Sequence, residues 1–210
     1  MVNCLATIIK GAVRSMKHRV FADTLIALGL SGLSMVAVVA PDPLERAALA
    51  QDSIFENKKI VPFVPTPQEV VDKMVELAGV KKGDVVYDLG SGDGRIVVTA
   101  ARRGAKAVGY EIDGDLVKQS RDNIVKAGVQ EQAEIRQQDI LTVDLSGASV
   151  VTMYLLPDVN LQLKPKILSQ LKPGSRVVSH AFDMGDWQPD RIERVGGRTI
   201  YLWTIPPQSR

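Results

Sequence analysis

The sequence predicts an α/β fold, mostly parallel with an antiparallel C-terminal hairpin, on three observations. Short apolar, β-branched runs alternate with segments of helical spacing from position 66 onward. Such alternation builds a parallel sheet with helical crossovers. A glycine-rich turn, Gly90-Ser-Gly-Asp-Gly94, joins the first of these runs to a helical segment. Near the end, Gly196-Gly197 separates two strand-like stretches, and a two-residue glycine turn favours an antiparallel hairpin.

The chain has 210 residues, 45% hydrophobic and 24% charged. These globular values exclude disordered and fibrous classes and leave room for one domain plus a tail. The tail comes first. Thr24 to Ala40 carries no charge, follows Lys17-His-Arg19 and leads into the polar stretch Pro41 to Arg46. That layout predicts a signal peptide or membrane anchor over residues 1–50, with Ala48-Leu-Ala50 as a cleavage pattern and Gln51 as the mature start. The run is also at the short end of the ~17–25 residues that span a bilayer, so an uncleaved anchor stays open. Bases ahead of an apolar run send the rest of the chain across the membrane. The expected location is therefore exported or membrane-associated, and a membrane-anchored chain with a cytoplasmic domain is the alternative. Pro62, Pro65 and Pro67 forbid a long helix, which makes residues 51–65 an extended arm before a domain over 66–210.

Within that domain, Thr66-Pro-Gln-Glu69 offers a capping threonine, proline at the first helical position and glutamate three residues after the cap. A helix is predicted from there to Ala78, closed by Gly79. Asp84 to Leu89 reads as a buried strand, Arg95 to Arg103 as a helix and Ala107 to Tyr110 as a strand. Gly114 to Ala127 reads as a helix ended by Gly128, and Ala133 to Arg136 as a strand. Ser149 to Leu155 is the fourth strand, followed by a helix over Pro157 to Leu171 with a break expected near Pro165. Arg176 to Phe182 is the fifth strand. Arg191 to Val195 and Arg198 to Trp203 flank the glycine pair as the hairpin.

Five bases but three acids lie in the first 50 residues, and the remainder carries 21 of each sign. A neutral domain argues against a surface that binds nucleic acid by neutralising phosphates. The single cysteine, Cys4, lies in the leader, so disulfides and cysteine-based metal sites are excluded from the domain. No His/Asp/Glu cluster has metal-ligand spacing, and no metal is expected.

The glycine loop follows a strand and opens a helix, a place that favours an anionic group. It departs from the dinucleotide fingerprint, whose third glycine is here Arg95, and it lacks the phosphate-binding lysine. Asp88 just before the loop would repel a pyrophosphate but suits a zwitterion, with the carboxylate on loop amides and the ammonium near Asp88. Glu111 ends the next strand, at the separation where such folds place a carboxylate on ribose hydroxyls. Asp139 follows the third strand. Three acids at successive strand ends favour a nucleoside with an amino-acid tail.

Val85-Val-Tyr-Asp-Leu-Gly-Ser-Gly-Asp-Gly-Arg-Ile96, Gly109-Tyr-Glu-Ile-Asp113 and Gln138-Asp-Ile140 resemble the first three motifs of class I S-adenosylmethionine-dependent methyltransferases. Pro62-Phe-Val-Pro-Thr66, Arg176-Val-Val-Ser179 and Trp187-Gln-Pro189 are similar to the ATP synthase c-subunit type of protein-lysine methyltransferase and its small bacterial relatives. The resemblance spans about Val61 to Ile205. It implies a Rossmann-like seven-stranded sheet with the last strand antiparallel, and S-adenosyl-L-methionine as cofactor. It also implies that Asp88, Gly90 and Gly92 hold the methionine moiety, Glu111 the ribose, and Ile112 and Asp139 the adenine. Ser91 and Ile140 belong to the same motifs and join the cofactor-binding set, while Phe63 and Pro65 of the arm are placed as its lid.

The substrate this resemblance implies is a protein lysine, with small-molecule methylation and non-catalytic cofactor binding as alternatives. Met153-Tyr-Leu-Leu-Pro157 is the usual acceptor edge of the class and lacks the Asn-Pro-Pro-Tyr type tetrad that holds planar amides and amines. Tyr154 is the candidate to orient an amine, and His180, ending the fifth strand, is the candidate base. The neutral domain predicts no nucleic-acid partner, and the leader predicts membrane association.

Overall fold

The computed structural model describes residues 63–207, together with Asp42, Pro43 and Arg46. The leader and most of the arm, with the signal, anchor and cleavage readings that fall on them, lie outside the described residues. Among the described residues no helix is long and apolar enough to cross a membrane.

The elements run α1 (Gln68–Leu77), β1 (Val85–Leu89), α2 (Arg95–Arg102), β2 (Lys106–Glu111), α3 (Gly114–Ala127) and β3 (Ala133–Gln137). After a 3₁₀ turn (Ile140–Thr142) come β4 (Val150–Met153), α4 (Pro157–Gln170), β5 (Arg176–His180), β6 (Arg191–Val195) and β7 (Arg198–Thr204). The seven strands form one sheet in the order β3-β2-β1-β4-β5-β7-β6. β1 to β5 pair in parallel, and β7 enters antiparallel between β5 and β6. The strand order reverses between β1 and β4, so the carboxyl ends of these strands flank the crevice where open α/β sheets bind ligands.

Two apolar clusters cover the two faces. α1, α2 and α3 bury Val70, Val71, Met74, Val97, Ala100, Val117 and Ile124 on one face, and α4 buries Leu163 and Ile167 on the other. Neighbouring strand residues divide between them: Val178 and Leu202 join the first cluster, Val177 and Trp203 the second. That split follows from side chains alternating across a strand. Both faces being covered explains why the central strands read as continuous apolar runs.

Two sequence expectations fail locally. Thr66 does not cap α1; Pro67 occupies the N-cap position without a side-chain bond. The Thr66 hydroxyl is instead bonded to His180 Nδ1 at 3.1 Å, and its carbonyl accepts from Arg95 Nη1 at 2.6 Å. A buried imidazole and a guanidinium outcompete the helix terminus for this residue. The break expected at Pro165 is absent, and α4 runs unbroken through it. Pro165 and Leu161, whose carbonyl the missing N–H would have met, lie on the exposed side of the helix, where water can satisfy that oxygen.

Candidate active site

A cavity of about 520 Å3 opens at the carboxyl ends of β1 to β4 and beneath the arm, within the usual ~300–1,000 Å3 of small-molecule sites. Phe63, Pro65, Gly90, Ser91, Glu111, Ile112, Asp139, Ile140 and Tyr154 all line it. The structure thus brings together nine of the twelve residues singled out from the sequence. Asp88, Gly92 and His180 do not line it.

Glu111, 8% exposed, anchors the polar half. Its Oε2 accepts from the Gly92 amide at 2.8 Å, and its Oε1 accepts from the Ile112 and Asp113 amides at 2.8 and 3.0 Å. One carboxylate therefore ties the glycine loop to the turn after β2. Each oxygen has two acceptor directions, so one on Oε2 remains for a hydroxyl in the cavity. Asp139 Oδ1 accepts from Leu141 N at 3.0 Å and caps the 3₁₀ turn that presents Ile140.

Asp88 lies behind the loop. It is 1% exposed and accepts from Thr152 Oγ1 at 2.7 Å and Ser91 Oγ at 2.9 Å. Burial pushes its carboxyl up to about 6, against the two hydroxyl bonds, and the charges of Glu111 and Asp93 add to the rise. Ser91 packs tightly against β2, where a Cβ on Gly109 would strike the Ser91 side chain and Ile135. Gly92, at φ +56°, faces the Phe63 ring, and a Cβ there would collide with it. The arm thus covers the loop directly.

The loop amides are engaged inside the fold, contrary to the expected anion cradle. Gly90 and Ser91 N–H both donate to the Tyr110 carbonyl, at 2.9 and 3.0 Å, and Gly94 N–H donates to Ser91 O at 3.0 Å. The positive group in the cavity is Arg95, which sequence reasoning noticed only as a missing glycine. Its Nε and Nη2 pair with Asp93 at 2.9 and 2.5 Å, and its Nη1 holds the Thr66 carbonyl. Asp93 and Leu155 are among the further lining residues that the sequence did not reveal. Leu155 packs where a Cβ on Gly90 would sit, a close approach that only the folded chain displays.

On the other side, the Tyr154 ring lies 4.0 Å from the His180 ring and 6.4 Å from that of Phe182 between centroids. His180 is fully buried, its Nδ1 meets Thr66, and its Nε2 has no partner among the described residues. Burial, with the charge of Arg198, lowers its pKa to about 4. An imidazole that weak, screened from the cavity by Tyr154, does not suit the role of base for an ammonium with a pKa of ~10.4. His180 instead supports Tyr154 and tethers the arm. Among the described residues no cluster of His, Cys, Asp or Glu could hold a metal ion.

Residues 88–191 match the family model of the ANTKMT methyltransferase domain. The chain is 48% identical over 151 residues to a protein-lysine N-methyltransferase of Saccharolobus islandicus (strain REY15A), covering 69% of this chain and 94% of that protein. It is 35% identical over 176 residues to the ATP synthase c-subunit lysine N-methyltransferase of Homo sapiens, covering 83% and 72%. Among solved structures it is similar to an RNA methyltransferase from Salinibacter ruber in complex with S-adenosyl-L-homocysteine, at 57% identity and a TM-score of 0.68, covering 70% of this chain and 97% of that one. Glu111 fits the ribose of such a ligand by its free acceptor direction, and Arg95, held between Asp93 and the Thr66 carbonyl, is the cation in the same cavity. With that fit and these relatives, the chain belongs to the ANTKMT-type family of S-adenosylmethionine-dependent methyltransferases.

Proposed function

We propose that this methyltransferase acts on the ε-amine of a protein lysine. The observation that carries the reading is that one cavity is lined both by charged groups, Glu111 and Arg95, and by apolar and aromatic ones, Phe63, Pro65, Tyr154 and Leu155. S-Adenosylmethionine supplies an already activated methyl group, so no covalent enzyme intermediate is needed. The chain's own residues align, desolvate and exclude water. Glu111 takes the ribose hydroxyls, Ile112, Asp139 and Ile140 take the adenine, and Gly90, Ser91 and Gly92 shape the floor under the methionine moiety. Arg95 takes its carboxylate, and Asp88, behind Ser91, supplies negative potential toward its ammonium. Tyr154 orients the incoming amine. An apolar slot beside a positive centre favours the neutral amine over the ammonium, which replaces the need for a dedicated base. Phe63 and Pro65 close the cavity against water.

The lysine assignment is supported by the names of the Saccharolobus and human relatives. RNA methylation is the second reading, favoured by the name of the Salinibacter structure and opposed by the evenly balanced charge of residues 51–210. Tritium-labelled cofactor, offered separately to a protein extract, an RNA extract and a small-molecule extract, distinguishes them. Methyl-lysine in the acid hydrolysate of the protein fraction is expected. Label confined to nucleosides or to small molecules would reject the lysine reading. We also infer that the chain is exported or membrane-associated, supported by the uncharged run Thr24 to Ala40. N-terminal sequencing of the protein from membrane, periplasmic and cytosolic fractions tests this, with a chain beginning at Gln51 expected for the cleaved form and a full-length cytosolic chain as the contrary result.

A further inference from the structure

Ala181 is the one non-glycine residue with positive φ among the described residues, at +69°. Phe182 N–H donates to the His180 carbonyl across it at 2.9 Å, which makes residues 180–182 a γ-turn of the rare, strained kind. The two residues flanking Ala181 are those whose rings contact Tyr154. Strain of this sort persists only where surrounding contacts over-determine the backbone; here the Ala181 N–H is held by the Thr199 carbonyl at 2.8 Å, and the side following Ala181 is gathered by one buried side chain. Asn160, one turn into α4, directs its Nδ2 at Ser179 Oγ (3.2 Å), Phe182 O (3.3 Å) and Asp183 O (3.2 Å). Ser179 Oγ in turn donates to Phe182 O at 2.6 Å. Asn160 is fully buried, and its Oδ1 has no partner among the described residues. A buried acceptor without a donor is destabilising, so a residue that only had to fill this space would better be apolar.

We propose that Asn160 is a positioning residue for methyl transfer: it holds the turn at Ala181 in its left-handed conformation and so fixes His180 and Phe182 around Tyr154. The inference rests on the reading of Tyr154 as the acceptor-side residue. Asn160 does not line the cavity, and its side-chain bonds all go to the acceptor side, at Ser179, Phe182 and Asp183; Thr66, bonded to both His180 and Arg95, links that side to the cofactor half, whose remaining contacts run through Glu111 and Asp88. Asn160→Ala should lower kcat about tenfold on the protein fraction that the wild-type enzyme labels, while the Kd for S-adenosylhomocysteine stays within about twofold, a misalignment effect of ordinary size. Ser179→Ala, a smaller perturbation that leaves the helix intact, should do the same more weakly. Glycine adopts positive φ without strain, so adding Ala181→Gly to Asn160→Ala should restore most of the lost rate. A purely structural asparagine would lower Tm, and its loss would not be repaired by glycine at 181. An unchanged kcat in both single variants, or no rescue, overturns the proposal. If the wild-type enzyme labels no protein, the lysine reading fails by itself. Crystal structures of the Ser179→Ala and Asn160→Ala variants with S-adenosylhomocysteine then decide the positioning role: Ala181 leaving the left-handed region with Tyr154 displaced supports it, and an unmoved turn rejects it.

Discussion

A single carboxylate carries more of this site than its position in the sequence implies. Glu111 was legible as a ribose ligand from its place at the end of β2, yet its bond to the Gly92 amide was not, because it links residues 19 positions apart only after folding, while its other oxygen turns back to the Ile112 and Asp113 amides beside it. Glu111→Ala should therefore do two things. It should weaken S-adenosylhomocysteine binding at least tenfold in isothermal titration, since charged hydrogen bonds are each worth ~1.5–3 kcal/mol, and it should lower Tm by loosening both loops. Full affinity in a folded variant would remove the ribose assignment. Gly92 offers a second test at the same scale. Gly92→Ala introduces a Cβ into the Phe63 ring and places alanine at φ +56°, the latter costing ~1 kcal/mol. The variant should lose most cofactor affinity, and Gly92→Ala with Phe63→Ala should regain the part due to collision. Equal affinities for the single and the double variant would show that the ring is not the obstacle. Asp88 and His180 stand outside the cavity lining for one reason: residue type and strand-end position do not reveal which way a side chain turns, and both turn into the protein.

Among the elements, the strands and helices lay within a few residues of where composition and period put them, and the hairpin formed at Gly196-Gly197 with both glycines at positive φ. What failed was the behaviour of single residues whose partners are remote. Thr66 has the local chemistry of a cap, but His180, 114 positions away, takes its hydroxyl. Pro165 has the local chemistry of a breaker, but α4 is held along its whole length by Val159, Leu163 and Ile167 in the apolar cluster. Packing energy of this kind routinely overrides propensity. Pro165→Ala should accordingly leave the helix in place, restore one backbone hydrogen bond and raise unfolding stability by ~1–2 kcal/mol, the helix-interior cost of proline less what proline saves in the unfolded chain. Urea unfolding measures it. A destabilised variant would mean that the proline ring makes packing contacts worth more than the bond.

For the molecule as a whole, two buried groups give stability opposing pH dependences. Asp88 has a folded pKa near 6 against an ordinary 3.8, so its contribution is complete below about pH 4 and lost as pH rises through about 6. Two units correspond to on the order of 3 kcal/mol. His180 has a folded pKa near 4 against 6.5, so its contribution is present above pH 6.5 and lost as pH falls through about 4. Relative to wild type, Asp88→Asn should gain stability as pH rises from 4 to 7, and His180→Gln should gain it as pH falls from 6.5 to 4. Denaturant titrations across that range check both slopes, and a flat difference for either variant contradicts the corresponding buried state. The sheet has a further property at this scale. β3 and β6 are its two outermost strands, each with a row of backbone groups facing outward. On β3, Arg136 pairs with Glu134; on β6, Arg191 pairs with Glu193, and Arg194 adds a further charge. A second chain laying a strand along either margin would have to strip water from these ions. Both ends of an otherwise sticky array are thus guarded against the stacking of one copy on the next, which keeps a domain with so apolar a sheet from polymerising through it.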